Sequence, residues 1–160
     1  MKRRSHGRKD RLIKEKRHDV YQARRKGPEP AVCPECGAVF VGGRWLWSKA
    51  PKEASTAMCP ACRRIADNYP AGYLEIRGSF FKEHRDEILA LIRNVEALEK
   101  GEHPLERIVS VTDGEGGASV TTTGIHVARR IGEALARSYK GEFSFQYGEG
   151  QKTITLHWIR

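Results

Sequence analysis

Four cysteines in two C-x-x-C pairs constrain this chain more than any other feature of its sequence. Cys33 and Cys36 form the first pair, Cys59 and Cys62 form the second, and 22 residues separate the pairs. Each pair offers two thiolates from one tight turn, and four thiolates suit the tetrahedral coordination of Zn²⁺. The intervening segment is long enough for a hairpin, so both pairs can meet at one ion. Because four protein ligands leave no position for a reacting water, the spacing predicts one structural zinc ion.

The cysteine pairs also have two alternative roles, as disulfides or as a redox centre. Each pair is able to close a local disulfide, and a single C-x-x-C pair is typical of thiol redox proteins. A redox pair, however, usually opens a helix after a strand and does not come as a matched set of two. Disulfides are also rare in a reducing cytoplasm. The spacing therefore favours metal over both alternatives.

The composition leaves room for only a small hydrophobic core. The chain has 160 residues, of which 39% are hydrophobic and 31% are charged. That length suits one ordinary domain or two very small ones. Because small cores usually need reinforcement by a metal or a disulfide, the composition agrees with a structural zinc site.

The positive charge of the chain is concentrated at its N-terminus. Residues 1–30 carry twelve Lys and Arg against four Asp and Glu, whereas residues 31–160 carry seventeen against sixteen. We expect this basic arm to be disordered when free and partly helical against a negatively charged partner, because it has too few apolar residues to stabilise itself. The basic residues of the arm are Lys2, Arg3, Arg4, Arg8, Lys9, Arg11, Lys14, Lys16, Arg17, Arg24, Arg25 and Lys26.

A basic arm on a nearly neutral body is typical of a nucleic-acid-binding protein. The arm has no helix-turn-helix or basic-zipper pattern, so it suits contact with phosphates without reading of base edges. That property favours RNA over DNA as the partner. The simpler alternative is a solvated tail without function, since runs of charge are often no more than that.

Residues 31–78 are predicted to form the zinc ribbon. Two short strands, 38–41 and 44–47, flank Gly42-Gly43, which fits a two-residue hairpin turn. Trp45 and Trp47 alternate on the second strand and therefore share a face. They either cover the small core of the ribbon or stack on nucleic-acid bases, and the first role is the more common one.

Residues 79–101 are predicted to form one connecting helix. Ser79 is a suitable N-cap for it, and Gly101 is a suitable end. Apolar residues recur along this segment at helical spacing, so one side of the helix must pack on a neighbouring unit.

Residues 104–160 are predicted to fold as ββαββ, which is an antiparallel sheet covered on one face by one helix. We place that helix from about 124 to 139, with Thr123 as its N-cap. Its solvent face carries Arg130 and Arg137, which are secondary candidates for RNA contact, although a solvated surface is the simpler interpretation. The predicted fold class of the whole chain is α+β.

The sequence lacks the features that several classes of protein require. Its longest uninterrupted apolar stretch, 88–92, is far too short to span a membrane. No apolar segment follows the first basic residues, as it would in a secretory signal. We find no nucleophile motif, no phosphate-binding loop and no sign of a small-molecule substrate, so we do not expect an enzyme. The prediction is a soluble cytoplasmic protein.

The chain also resembles an uncharacterised bacterial family with a zinc ribbon, which is associated with low-oxygen and stress survival. The residues that carry the resemblance are the four cysteines, Arg63, Asp67, Tyr69, Pro70, Gly72, Tyr73 and the segments 121–123 and 128–132. The likeness covers most of residues 31–160. That family's ribbon is similar in turn to the ribbon of the archaeal and eukaryotic large-subunit export adaptor of the Nmd type. The resemblance implies zinc at the four cysteines and contact with RNA or the ribosome, but it does not carry over a role in export.

Together these patterns predict a zinc-ribbon RNA-binding protein that associates with ribosomal RNA or a ribosomal subunit, as a stress factor of the hibernation type. A zinc-ribbon DNA-binding transcriptional regulator is the first alternative. A protein–protein adaptor that uses the open face of the predicted sheet is the second. Competition between structured RNA and duplex DNA separates the three.

Overall fold

The computed structural model describes residues 27–160, which fold into two β-sheets with α-helices between and beside them. The predicted fold class, α+β, is confirmed at this level. Most of the predicted arm, residues 1–26, lies outside the described residues. The strands are β1 (Ala31–Val32), β2 (Val39–Val41), β3 (Arg44–Leu46), β4 (Ser55–Thr56), β5 (Gly72–Arg77), β6 (Ile108–Gly114), β7 (Gly117–Thr122), β8 (Glu142–Tyr147) and β9 (Ile154–Ile159). The α-helices are α1 (Pro60–Asp67), α2 (Ser79–Glu83), α3 (Arg85–Glu102) and α4 (Ile125–Tyr139).

The first sheet is small and has the strand order β3-β2-β1-β4. Strands β2 and β3 form the predicted antiparallel hairpin. Gly42 and Gly43 at its turn have φ of 62° and 76°, in the left-handed region that glycine adopts without strain. Two consecutive positive φ values are the signature of a type I′ turn, whose twist matches that of the flanking strands.

The second sheet has five strands in the order β6-β7-β5-β9-β8. Its centre is β5, which pairs antiparallel with β7 and parallel with β9. Residues 104–160 contain the predicted order of elements, ββαββ. Their four strands do not form a four-stranded antiparallel sheet, because β5 lies between β7 and β9 and pairs parallel with β9. The predicted ribbon, residues 31–78, includes residues 72–77, which belong to the second sheet. Below, the ribbon means residues 31–67.

The predicted single helix over residues 79–101 is divided into α2 and α3 at His84. His84 has φ −122° and ψ 25°, which breaks the helical backbone for one residue. Its imidazole stacks on the ring of Phe80, with the centroids 4.1 Å apart. The predicted N-cap Ser79 is the first residue of α2, and Gly78 occupies the cap position.

The main hydrophobic core lies between the second sheet and its helices. Val127, Ile131 and Leu135 of α4 are fully buried, and their spacing of four residues puts them on one side of the helix. They belong to one cluster with Trp158 of β9 and with apolar side chains of α3. On the opposite face of the sheet, Thr155 and His157 alternate with the buried residues of β9 and are exposed.

No helix formed by residues 27–160 combines the length and the apolar character that a membrane-spanning helix requires.

Candidate metal centre

The four cysteines meet at one point between the first sheet and the start of α1. All four Sγ atoms lie within 4.8 Å of one another, and the Sγ atoms of Cys36 and Cys59 are 3.8 Å apart. A tetrahedral ion with metal–sulfur bonds of about 2.3 Å requires sulfur atoms about 3.8 Å apart. The cluster therefore has the donor set and the size to hold one metal ion.

The first cysteine pair lies in the turn that joins β1 to β2. The amide of Cys33 donates to the carbonyl oxygen of Ala38 at 2.8 Å, and the amide of Gly37 donates to the carbonyl oxygen of Cys33 at 2.9 Å. Gly37 has φ 80°, so a side chain at this position would strain the turn. These bonds hold both sulfurs of the pair on the side that faces the second pair.

The second cysteine pair opens helix α1. Cys59 is the N-cap, Pro60 is the first helical residue, and the Cys59 sulfur accepts a hydrogen bond from the amide of Cys62 at 3.3 Å. The amide of Cys59 in turn donates to the sulfur of Cys33 at 3.3 Å. The N-terminus of a helix stabilises negative charge, so this position favours the thiolate form that a metal binds.

The helical position of the second pair bears on the redox alternative. We expected a redox pair, not a metal pair, to open a helix, and the pair Cys59 and Cys62 does so. All four cysteines are nevertheless free thiols, and the two pairs converge instead of standing apart. Convergence of four sulfurs is what a shared ion requires.

Burial and hydrogen bonding act in opposite directions on these thiols. Burial raises the pKa of the Cys59 thiol and also that of the Cys62 thiol, although Arg107 opposes the rise in both cases. Burial also acts to raise the pKa of Cys33, but hydrogen bonds, chiefly from backbone amides beginning with that of Cys59, outweigh it and lower the pKa to about 7. A bound cation would favour the thiolate at every position, because a coordinating thiol is deprotonated.

Arg107 is a member of the centre that the sequence analysis missed. Its Nη2 donates to the sulfur of Cys59 at 3.0 Å and to the sulfur of Cys62 at 3.3 Å. Only 7% of the residue is exposed. Desolvation lowers the pKa of the guanidinium, but the hydrogen bond to Cys62 and the nearby sulfur charges outweigh it, so the pKa is raised overall. Nothing in the spacing of an isolated arginine 45 residues beyond Cys62 could have indicated this contact.

The backbone of Arg107 is fixed by Thr123, which precedes α4. The Arg107 amide donates to the Thr123 hydroxyl at 2.9 Å, and the Thr123 amide donates back to the Arg107 carbonyl oxygen at 2.8 Å. Thr123 was predicted to be the N-cap of α4, but Gly124 occupies that position. The side chain of Glu106 takes over the capping role, since its carboxylate accepts from the amide of Val127 at 3.0 Å.

Of the fourteen predicted nucleic-acid-binding residues, the structure describes two. Arg130 and Arg137 both lie on α4 with exposed side chains. The Nε of Arg130 is 3.5 Å from a carboxylate oxygen of Glu99 on α3. The twelve basic residues from Lys2 to Lys26 lie outside the described residues.

The two tryptophans of the ribbon have different environments. Trp45 is half-buried and packs against the cysteine cluster. Trp47 lies beyond the end of β3 and is 38% exposed. Its indole Nε1 donates to the carbonyl oxygen of Lys100 at 2.6 Å, which ties the ribbon to α3. Trp45 thus covers the core of the ribbon, as the simpler interpretation held.

Comparison with known proteins adds no relative to this description. No protein-family model matches the chain, and no curated protein matches it. The likeness to the bacterial zinc-ribbon family stays a prediction from the sequence. The chemistry available at the centre is the binding of one metal ion by four thiolates, with Arg107 beside two of them.

Proposed function

We propose that this chain is a zinc-ribbon protein that binds RNA and docks on the ribosome. The main support for the proposal is the uneven distribution of charge along the chain. Residues 1–30 have a net charge of +8, whereas residues 31–160 have a net charge of +1. Lys and Arg that neutralise phosphates release counterions, which favours binding to any nucleic acid. The nearly neutral folded part is then available to specify the surface that is bound, because positioning and specifying contacts are separable.

Zinc is the ion that the four cysteines suit best. A closed set of four thiolates leaves no open position, and such sites are structural. In small modules of this kind the free energy of zinc binding stabilises the fold itself. The proposed role of the metal is therefore to hold the ribbon together, and the proposal is of a binding protein and not of an enzyme.

A groove between the ribbon hairpin and helices α3 and α4 supports contact with single-stranded RNA. Its volume is about 600 Å³, and its lining includes Arg44, Trp45, His103, His126 and Arg130. Cations that contact phosphates are one component of single-strand binding, and Arg44 and Arg130 supply them on this groove.

Two acidic residues also line this groove, and both contact other groups of the protein. Glu99 faces Arg130 at 3.5 Å, and Glu106 caps α4 through the amide of Val127. Arg44 and His126 are exposed on the groove, so a cation and a further hydrogen-bonding side chain remain for a phosphate.

The two alternatives differ in the surface that they would use. A DNA-binding regulator would use the same basic arm on duplex DNA. A protein–protein adaptor would use the open face of the second sheet, where Tyr73 and Ile159 are 40% and 44% exposed. The resemblance alone favours a role in stress survival.

The proposal is tested by sedimentation of the full chain with ribosomal particles through sucrose gradients of increasing salt. We expect the protein to stay with the particles at moderate salt, and structured RNA to compete for it better than duplex DNA. The variant that carries both Arg130→Glu and Arg137→Glu should leave the particles at lower salt, because its helix α4 repels phosphates.

Arg93→Glu is the control matched to Arg130→Glu alone, because each reverses one charge and Arg93 is exposed on α3 and does not line the groove. It should leave the ribosomal particles at nearly the same salt concentration as the wild type. A preference for duplex DNA at every salt concentration would support the regulator instead. If the protein binds neither RNA nor DNA, the result would favour the protein–protein adaptor.

A further inference from the structure

Arg107 is a buried cation whose acceptors are sulfur atoms. Its guanidinium contacts the sulfurs of Cys59 and Cys62 and no carboxylate within residues 27–160. In the same part of the chain, Nε of Arg107 is the buried side-chain nitrogen that has no hydrogen-bond partner. The side chain thus lies in a costly position in which the cysteine cluster supplies its stabilising contacts.

The physical cost of that position depends on the charge of the cluster. A buried charge is strongly unfavourable unless it is paired. Four thiolates around one divalent cation carry a net charge of about −2, and hydrogen bonds from cations to anions are stronger than bonds between neutral groups. A loaded metal centre therefore supplies the counter-charge that the guanidinium lacks elsewhere.

Arg107 and the cysteines belong to different units of the fold. The amide and the carbonyl oxygen of Arg107 both form hydrogen bonds with Thr123. The amide of its neighbour Ile108 donates to the carboxylate of Glu96 on α3. Cys59 and Cys62 belong to the turn and helix α1 that close the ribbon. The guanidinium consequently bridges the ribbon and the second sheet at the metal-binding point.

We infer that Arg107 is a positioning residue that couples retention of the metal to the docking of the ribbon on the second sheet. Its two hydrogen bonds orient the sulfurs of Cys59 and Cys62 around the ion. The charge of the loaded centre in turn holds the Arg107 side chain, and with it the second sheet, against the ribbon. The inference rests on the proposed metal centre and is independent of RNA binding.

The first test measures transfer of zinc from the purified, loaded full chain to a chromophoric chelator. Arg107→Met keeps most of the length of the side chain but removes its charge and its donors. We expect it to lose the metal faster than the wild type, by up to the loss of affinity of about 10- to 100-fold that is typical when a partner of a metal ligand is removed. Arg107→Lys should recover part of the retention, because it restores one charged donor. Arg93→Met, at an exposed position on α3, should behave as the wild type.

The second test separates a role at the sulfurs from simple packing. In the Co²⁺-loaded protein, hydrogen bonds from Arg107 lower the energy of the sulfur lone pairs. Arg107→Met should therefore shift the sulfur-to-cobalt charge-transfer absorption to lower energy, and Arg107→Lys should shift it less. Amide hydrogen exchange should also rise at residues 105–107 and 121–123 of the loaded Arg107→Met variant, where the second sheet meets the ribbon.

The outcomes of these tests distinguish this inference from the metal proposal. A wild-type chain that binds no metal contradicts the metal centre itself. A wild type that binds metal, with an Arg107→Met variant of unchanged release rate and absorption, contradicts only the role of Arg107. If Arg107→Met does not fold, the Arg107→Lys variant decides, because wild-type release and absorption in that variant would equally overturn the inference.

Discussion

Cys59 has more contacts within the cluster than a metal ligand alone requires. Its sulfur accepts hydrogen bonds from the amide of Cys62 and from Arg107, and it lies 3.8 Å from the sulfur of Cys36. Its amide also donates to the sulfur of Cys33. One residue thus caps helix α1, joins the two cysteine pairs and contacts Arg107, which directly precedes β6 of the second sheet.

Replacement of this residue should release the metal. We expect the wild type to contain close to one zinc ion per chain, and Cys59→Ser to contain almost none, because a hydroxyl is a poor ligand for zinc and closed sites need all four sulfurs. Residues 31–67 should then lose their protection against hydrogen exchange. Metal content is measured by elemental analysis of the purified chain.

Met58→Leu provides the control for that substitution. Met58 is adjacent to Cys59 and packs against the cluster, and exchange of Met for Leu nearly preserves volume. It should keep the ion. Full metal content in Cys59→Ser, or an unchanged melting curve after chelation of the wild type, would argue against a structural metal.

At the scale of elements, the hairpin of β6 and β7 depends on a close approach of backbones. A Cβ atom built on Gly117 would lie 1.8 Å from the carbonyl oxygen of Ile76 in the neighbouring strand β5. Gly114, paired with Gly117 across the hairpin, has no atom within 4 Å of such a Cβ. Two glycines in one hairpin therefore differ in their packing.

Gly117→Ala should weaken the second sheet while Gly114→Ala should not. We expect the first substitution to lower the free energy of unfolding by about 3 kcal/mol, because β5 and β7 must separate to admit the methyl group. The second should change it by less than about 1 kcal/mol. Denaturant unfolding of both variants measures the difference, and equal midpoints would show that β5 and β7 do not pair as described.

The local sequence of β5 predicts a strand but does not indicate which sheet that strand joins. Leu74 and Ile76 alternate with Tyr73, Glu75 and Arg77, so a strand pattern is present. Its assignment to the ribbon failed because proximity to Cys62 in sequence says nothing about which sheet the strand joins. The parallel partner β9 lies at the far end of the chain.

At the scale of the whole molecule, residues 1–30 and residues 31–160 differ sharply in net charge. Most of the positive excess belongs to residues 1–30, whereas residues 31–160 are nearly neutral. A highly charged segment binds phosphates with a strong dependence on salt, and each neutralised phosphate adds about 0.7 to 0.9 to the slope of log affinity against log salt.

Deletion of residues 1–26 should therefore weaken RNA binding and flatten its dependence on salt. The deletion removes all twelve Lys and Arg of the arm, so the slope should fall by several units. The fold of residues 27–160 should remain, as judged by its melting curve and its metal content. Binding of the shortened chain with the same affinity and the same slope would show that the arm is only a solvated tail.

The sequence by itself determined the features that depend on neighbours in the chain. The two cysteine pairs, the Gly42-Gly43 turn and the inward face of α4 follow from short-range spacing, and the structure has each of them. Spacing is enough in these cases because a tight turn or a helix is set by a few consecutive residues.

Only the tertiary structure decided where distant segments meet. The parallel pairing of β5 with β9 and the contact of Arg107 with the sulfurs of Cys59 and Cys62 join residues far apart in the chain. No local periodicity encodes such contacts, because they depend on which apolar faces the whole chain buries together. Arg107 is buried beside the thiols since the second sheet packs there, and its hydrogen bonds to the sulfurs of Cys59 and Cys62 follow from that packing.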